Sequence, residues 1–225
     1  MVKKIRMLGM EMDHFTLREE IVQSELFYHK QELNIIRTVS IDMLSLAADS
    51  QIIRGGIAQA DLIVVGDSEI LTEAGIYSAQ RIREASEHGF MRAFLKDRIR
   101  AQSSFFLVAQ DEQDLERLME FLKKKYENMI IVGTCVLDAC TQNYDRMINE
   151  INAAAPDIIL SVLTSPQEDA LLMQEKAKIS ARIWYSMSRY DQTSTKKTSF
   201  LCWFQQLIHK GRFKNAVHSY EERNE

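Results

Sequence analysis

Four consecutive apolar residues, Leu62 to Val65, are followed directly by Gly66 and Asp67. This run does not alternate with polar residues, which is typical of a parallel strand that is buried on both faces. Gly66 supplies a backbone that can turn sharply after the strand. In open α/β sheets, ligands bind in the crevice outside the carboxyl ends of the strands. Asp67 is therefore the first candidate for a functional carboxylate.

The local sequence leaves a second interpretation of Asp67 open. A loop aspartate can be a solvated side chain, or it can cap a helix that starts near Ser68, because aspartate is a preferred N-cap residue. The two interpretations differ in whether the carboxylate faces a ligand crevice or only its own loop.

Strand-like apolar runs alternate along the chain with segments of helical periodicity. The predicted strands are residues 33–40, 60–66, 104–109, 129–133, 157–164 and 183–187. The predicted helices are residues 16–29, which open with a Thr16–Glu19 capping box, and residues 42–49, 69–88, 112–127 and 143–154. Residues 4–13 predict a strand or hairpin that turns at Gly9 and exposes Glu11 and Asp13. This alternation predicts an α/β fold of the Rossmann-like kind, with a mostly parallel sheet covered by helices.

Composition excludes several classes of function. The net charge of −4 argues against general nucleic-acid binding, and no apolar run is long enough to span a membrane. Three cysteines without a CxxC pair argue against a zinc site and favour a reducing, cytoplasmic setting. The N-terminal residues lack the apolar core of a secretory signal.

The C-terminal part of the chain has a different charge from the rest. Nine basic residues and one acidic residue lie between Lys176 and Tyr220. Within this region, residues 198–220 interleave aromatic and basic side chains, which favours a segment lying on a membrane surface, although a terminal helix docked on the domain is the alternative. We therefore divide the chain into an α/β domain, residues 1–197, and a basic, aromatic and helical C-terminal appendage, residues 198–225.

The order of these pieces resembles the WecB/TagA/CpsF glycosyltransferase family over roughly residues 5–215. The segments that carry the resemblance are residues 8–20, the Thr38-Val39-Ser40 strand end, the Gly66-Asp67-Ser68 loop, residues 90–97, residues 151–160 and residues 165–169. In the family, the two short segments read Thr-x-Asn and Pro-Asp-Gly. Residues 90–97 fall on its Pro-Glu-Arg and Gly-x-Asp stretch, and residues 165–169 fall on its Ala-Pro-Lys-Gln-Glu segment.

The resemblance implies an inverting enzyme that needs no metal or other cofactor. Such enzymes transfer an N-acetylmannosamine-type sugar from a UDP donor to an undecaprenyl-diphosphate-linked acceptor during synthesis of cell-envelope polysaccharide. Asp67 matches the loop aspartate that is the family's proposed general base. The implied substrate contacts are Thr38, Ser40, Arg92, Asp97, Gln167 and Glu168. Arg92 suits a diphosphate because a planar guanidinium can bind two oxygens at once.

The same resemblance implies a location at the cytoplasmic face of the cell membrane. The basic C-terminal segment would bind the membrane surface near the lipid-linked acceptor, and self-association into a homo-oligomer is left open. No nucleic acid is expected as a partner.

Several ligand-facing glycines of the family are replaced in this chain. Ser68 follows Asp67, Leu95 replaces a second glycine, and residues 109–112 replace a glycine pair with Ala-Gln-Asp-Glu. Two carboxylates near a diphosphate would repel it. The site is therefore either remodelled for another sugar nucleotide, or it belongs to an inactive relative that binds a partner glycosyltransferase or the lipid-linked substrate.

Overall fold

The computed structural model describes residues 4–137 and 144–187 together with Val217. Its strands are β1 (Lys4–Met7), β2 (Met10–Asp13), β3 (Asn34–Val39), β4 (Leu62–Val65), β5 (Ser104–Ala109), β6 (Ile130–Val136), β7 (Ile158–Val162) and β8 (Ile183–Ser186). β1 and β2 form an antiparallel hairpin. The other six strands form one sheet in the order β4-β3-β8-β7-β5-β6, and all neighbouring strands are parallel. The predicted fold class is confirmed.

Helices connect the strands and cover both faces of the sheet. They are α1 (Leu17–Tyr28), α2 (Ile41–Asp49), α3 (Gln51–Ala58), α4 (Ser68–Glu73), α5 (Ala79–Ser86), α6 (Gly89–Arg100), α7 (Glu112–Lys125), α8 (Asp145–Ala154) and α9 (Gln167–Glu175), and a short 3-10 turn, Lys176–Lys178, follows α9. Parallel strands require such crossovers, because the chain must return to the same end of the sheet before the next strand begins.

The hydrophobic core lies on both sides of the sheet. Ile36 and Leu107 pack on one face against α1, α6 and α7. Ile35 and Phe106, which directly precede them, pack on the other face against α8 and α9. β3, β4, β7 and β8 are buried along their whole length. Continuous burial explains why these strands read as apolar runs and not as alternating ones.

The six parallel strands place all their carboxyl ends at one side of the sheet. We call this side the carboxyl edge and the opposite side the amino edge. Ser40 follows β3 and Gly66 follows β4 at the carboxyl edge, and these two strands are direct neighbours. The fold therefore brings two of the predicted site segments together.

The N-terminal hairpin is packed against the domain and not solvated along its length. The turn at Gly9 is confirmed, with a φ of 76°. The expectation that Asp13 is exposed is wrong, because Asp13 is 5% exposed and its Oδ2 accepts the Ile63 backbone N–H at 3.0 Å. Asp13 thereby supplies a hydrogen-bond acceptor for a backbone N–H of β4, which is an outer strand of the sheet.

Residues 69–88 form two helices where the sequence predicts one. α4 ends before Gly75, whose φ of 74° lies in the left-handed region that side chains disfavour. Ser78 then starts α5, because its side chain accepts the Arg81 backbone N–H. The break turns α5 toward α6, with which it is in contact.

The predicted appendage, residues 198–225, lies outside the described residues except for Val217. Val217 is 9% exposed and packs in a core cluster with residues of the hairpin, α2 and α4. In the described part of the chain, no helix is long and apolar enough to cross a membrane.

Candidate functional site

Asp67 bridges two loops at the carboxyl edge. It precedes α4 at the N-cap position, but its side chain makes no capping bond to that helix. Its Oδ2 instead accepts the backbone N–H of Ile41, the first residue of α2, at 2.8 Å. A carboxylate at a helix N-terminus is favoured by both the unpaired N–H groups and the helix dipole. Through Oδ2, the carboxylate therefore reaches across the β3–β4 boundary.

Gly66 allows this bridge because its loop lies against β3. A Cβ atom on Gly66 would lie 2.7 Å from Thr38 Cγ2 and 3.0 Å from the Val39 carbonyl oxygen. The Gly66 N–H donates to that same carbonyl at 2.9 Å. A side chain here would push the loop outward and move Asp67 away from α2.

Thr38 and Ser40 lie beside Asp67, and both hydroxyls have protein partners. Thr38 is 3% exposed, and its Oγ1 is 3.1 Å from the Tyr185 hydroxyl on β8. Ser40 Oγ accepts the Met43 backbone N–H at 3.2 Å and so caps α2. Ser40 thus stabilises the helix end that holds Asp67.

A small cavity lies next to Gly66, between the carboxyl ends of β3 and β4 and the helices α1, α5 and α6. Its free volume is about 20 Å³, which is room for roughly one water molecule. Its polar lining residues are Glu20, Thr38, Arg81, Glu84, His88 and Tyr185. Of these six residues, only Thr38 is among the site residues predicted from the sequence.

Glu20 and Glu84 face Arg81 in this cavity and differ in acidity. Burial raises the pKa of Glu20 from 4.5 to about 7, although the Arg81 charge works in the opposite direction. Burial would also raise the pKa of Glu84, but hydrogen bonds from Gln80 and Arg81 outweigh it and hold that pKa below its usual value. A carboxyl group that titrates near neutrality can exchange a proton at physiological pH.

A sequence signal for Glu20 does exist. Glu20, Ser24 and Phe27 are the buried residues of α1, and they follow helical spacing. An acidic residue on the buried stripe of a helix must either find a partner or bind a proton. The signal is weak, because Glu20 also belongs to the acidic first turn that follows the capping box.

Arg92 and Asp97 lie on α6 at different distances from the site. Arg92 follows Met91, which lines the cavity, and its Nη2 donates to Glu87 Oε2 at 2.8 Å. Asp97 lies near the end of α6, where its Oδ2 is 2.5 Å from Arg98 Nη2. Arg98 in turn stacks on Tyr28 at the end of α1, which leads into the start of β3. Asp97 is therefore at the amino edge, away from Asp67.

Gln167 and Glu168 begin α9, which follows β7 at the carboxyl edge. Gln167 Oε1 accepts the Thr164 hydroxyl at 3.2 Å. β8 and β3 lie between β7 and β4, so three strand spacings, about 14 Å, separate this loop from that of Asp67.

Glu168 is buried in an ion-pair network below the carboxyl edge. Its Oε2 accepts from Arg37 Nη2 at 3.1 Å and its Oε1 accepts from Trp184 Nε1 at 2.9 Å. Ser161 also donates to Glu168, and Arg37 also donates to Asp169. These partners tie α9 to β3, β7 and β8.

The structure thus brings Asp67, Thr38 and Ser40 together, with Arg92 near the same end of the sheet. Gln167 and Glu168 belong to a separate loop of the carboxyl edge, and Asp97 belongs to the opposite side of the sheet. Within residues 4–137 and 144–187, no group of three or more His, Cys, Asp or Glu side chains is arranged to hold a metal ion.

A family model described as the glycosyl transferase WecG/TagA/CpsF family matches residues 5–190 of the chain. The matched range runs from β1 to beyond β8, so it includes the whole sheet and the Asp67 loop. No curated protein matches the chain.

Proposed function

Because the chain belongs to the WecG/TagA/CpsF family of glycosyl transferases, we propose that it transfers a sugar of the N-acetylmannosamine type from UDP to an undecaprenyl-diphosphate-linked acceptor. The reaction would contribute to cell-envelope polysaccharide synthesis at the cytoplasmic face of the membrane. The observation that carries this proposal is the bridge from Asp67 to the N-terminus of α2, at the end of two neighbouring parallel strands.

Asp67 acts as the general base in this proposal. The acceptor hydroxyl attacks the anomeric carbon, its proton passes to the Asp67 carboxylate, and UDP leaves with the electrons of the broken sugar–phosphate bond. Attack opposite the leaving group inverts the anomeric centre. A carboxylate has about four acceptor sites, so it can accept from the Ile41 N–H and from a substrate hydroxyl at the same time.

The other predicted residues take different parts in the proposal. Thr38 and Ser40 lie beside Asp67, and Arg92 is the candidate contact for the donor diphosphate. Gln167 is the candidate sugar contact on the β7 loop. Glu168 supports that loop through its buried partners, and Asp97, at the amino edge, has no assigned part in the chemistry at Asp67.

A second candidate function is supported by the small volume of the cavity and by the protein partners of the site's hydroxyl groups. The cavity beside Gly66 holds little more than a water molecule, and the Thr38 and Ser40 hydroxyls already have protein partners. These features favour a relative that has kept the fold and binds a partner glycosyltransferase or the lipid-linked substrate without turnover.

The test combines UDP-sugar binding with the Asp67→Asn variant. We expect calorimetry to detect binding of at least one UDP-sugar, and Asp67→Asn to lower kcat about 100- to 10,000-fold, the usual contribution of a general base. Asparagine keeps an oxygen that can accept the Ile41 N–H, so thermal stability should change little.

Asp61→Asn is the matched control. Asp61 Oδ2 accepts the Ile35 backbone N–H at 2.8 Å at the amino edge, the same kind of bond at the opposite end of β4. This variant should keep its activity. Full turnover by Asp67→Asn would refute the base assignment, and an intact protein that binds no UDP-sugar would favour the non-enzymatic candidate.

A further inference from the structure

We propose that Glu20 and Arg81 form a subsite that binds one uncharged sugar hydroxyl beneath the Asp67 loop. This inference rests on the proposed function and adds to it a specificity contact that is not among the substrate contacts implied by the family resemblance. The subsite is the cavity that shares Gly66 and Thr38 with the Asp67 site.

Arg81 supplies an unused hydrogen-bond donor. It is 8% exposed, its Nη1 donates to Glu84 Oε2 at 2.9 Å, and its Nη2 faces Glu20 Oε1 at 3.6 Å. Its buried Nε has no acceptor in the described part of the chain. A buried guanidinium N–H without an acceptor is costly, so it favours a ligand oxygen.

Glu20 supplies the complementary acceptor. It is 4% exposed, and the 3.6 Å to Arg81 is longer than a hydrogen bond. Thr38 and Tyr185 pair their hydroxyls with each other, and both Glu84 oxygens accept from Gln80 and Arg81. Among the carboxyl and guanidinium groups of the cavity, Glu20 and Arg81 thus keep hydrogen-bonding capacity that Glu84 does not.

A hydroxyl fits these two groups better than a phosphate does. One hydroxyl can accept from the Arg81 N–H and donate to the Glu20 carboxylate. A phosphate offers only acceptors and would meet the negative charge of Glu84. The free volume, about 20 Å³, also admits a single hydroxyl and not a phosphoryl group.

Binding through Glu20 should release a proton at pH 7. Burial raises the pKa of Glu20 to about 7, so about half of the protein carries this proton, and a donated hydrogen bond favours the ionised form. The other titratable or charged groups that line the cavity or act on Glu20 are Asp13, Glu84, His88, Arg81 and Tyr185.

The experiment is calorimetry of UDP and of UDP-N-acetylhexosamines with the full chain, in two buffers of different ionisation enthalpy. We expect UDP-sugar binding to release up to about half a proton more than UDP binding. Glu20→Gln should abolish this difference and reduce the affinity gained by the sugar over UDP about tenfold. Arg81→Lys, which lacks the Nε donor, should also reduce the gain, while UDP affinity stays unchanged in both variants.

Glu116→Gln, on the exposed side of α7, is the control for removal of a carboxylate and should behave as wild type. The inference would be overturned if wild type and Glu20→Gln gained the same affinity from the sugar and released the same number of protons.

If no UDP compound binds, the proposed donor is wrong, and titration with free N-acetylmannosamine and N-acetylglucosamine tests the subsite directly. Glu20-dependent proton release with these sugars would support a hydroxyl site that serves the acceptor. Its absence with both sugars would overturn the subsite independently of the donor.

Discussion

Two glutamates of one cavity have pKa values that shift in opposite directions: burial raises the pKa of Glu20, whereas hydrogen bonds from Gln80 and Arg81 hold the pKa of Glu84 below its usual value despite burial. The folded protein holds a proton on Glu20 that the unfolded chain releases above pH 4.5, because the pKa rises to about 7 on folding. The stability that Glu20 contributes is therefore present below about pH 4.5 and is lost as the pH rises to 7.

Glu20→Gln should consequently stabilise the protein at alkaline pH. Its free energy of unfolding in urea should exceed that of wild type by up to about 3 kcal/mol at pH 8 and by almost nothing at pH 4.5, since one pKa unit corresponds to about 1.4 kcal/mol. Urea titrations of both proteins at these two pH values are the measurement. An equal difference at both values would contradict the assigned pKa.

Glu84→Gln should have the opposite effect. The pKa of Glu84 lies below 4.5 in the folded protein, so its contribution to stability is present above pH 4.5 and is lost as the pH falls below it. The same urea titrations should therefore show Glu84→Gln as destabilising at pH 7, with the deficit shrinking in acid. If Glu84→Gln had the same free energy of unfolding as wild type at pH 7, that result would argue against the hydrogen bonds from Gln80 and Arg81.

The sequence predicted Asp67 but not Glu20, and the reason is physical. Asp67 follows a buried apolar strand, and the end of such a strand is a local feature that defines a position in the fold. Glu20 acquires its raised pKa from burial, and the Arg81 side chain that faces it belongs to α5, far along the chain. No local pattern encodes that arrangement.

The packing of α3 on α9 depends on one of two adjacent glycines. A Cβ atom on Gly56 would overlap Asp169 Oδ1, whereas a Cβ on Gly55 would be 3.7 Å from the Met173 side chain. Asp169 is fully buried and paired with Arg37, so it cannot move aside without breaking that ion pair.

Gly56→Ala should destabilise the protein by about 2 kcal/mol or more, the usual cost of overpacking a core. Gly55→Ala should be neutral or stabilising by up to about 1 kcal/mol, because alanine is the better helix former. Thermal and urea unfolding of the two variants are the comparison. Equal effects would indicate that α3 and α9 are not packed as closely as described.

The elements were easier to predict where their pattern was strong. The capping box at Thr16 and the apolar stripe of α7 both predicted their helices correctly. The prediction of one helix over residues 69–88 was wrong, because apolar residues on both sides of Gly75 happened to fit one helical spacing. The sequence predicts no element for the stretches that form α3, α6 and α9; residues 90–97 and 165–169, which overlap α6 and α9, are identified only as segments of the family resemblance.

At the scale of the whole molecule, the proposed membrane contact depends on the charge of the C-terminal segment. Lys210, Arg212 and Lys214 lie outside the described residues, but Val217 next to them is packed in the core. Deletion of the segment would remove both the charge and this packing, so charge removal alone is the better test.

Replacement of Lys210, Arg212 and Lys214 by serine should weaken binding to anionic vesicles about 100-fold at low salt. Each basic residue near an anionic surface contributes about 1 kcal/mol, and the effect should fade as salt is added. Vesicle co-sedimentation is the measurement. The control is serine replacement of Lys123, Lys124 and Lys125 at the end of α7, which removes the same charge elsewhere; this variant should bind vesicles as wild type does. An equal loss of binding in both variants would mean that only net charge matters.

The alternation of strands and helices was sufficient to predict a parallel α/β fold, but not the order of its strands. The central neighbours β3 and β8 come from opposite ends of the described chain, and nothing in either strand specifies the other. Their pairing is a property of the complete sheet.

The pairing of β3 with β8 also has a consequence for biosynthesis. Thr38 and Tyr185, whose hydroxyls meet in the folded protein, are 147 residues apart. β3 therefore leaves the ribosome long before its partner is translated, and until then one side of a central strand has no neighbour. We expect the nascent chain to depend on chaperones during this interval, and prematurely terminated chains to lack the middle of the sheet, not its margin.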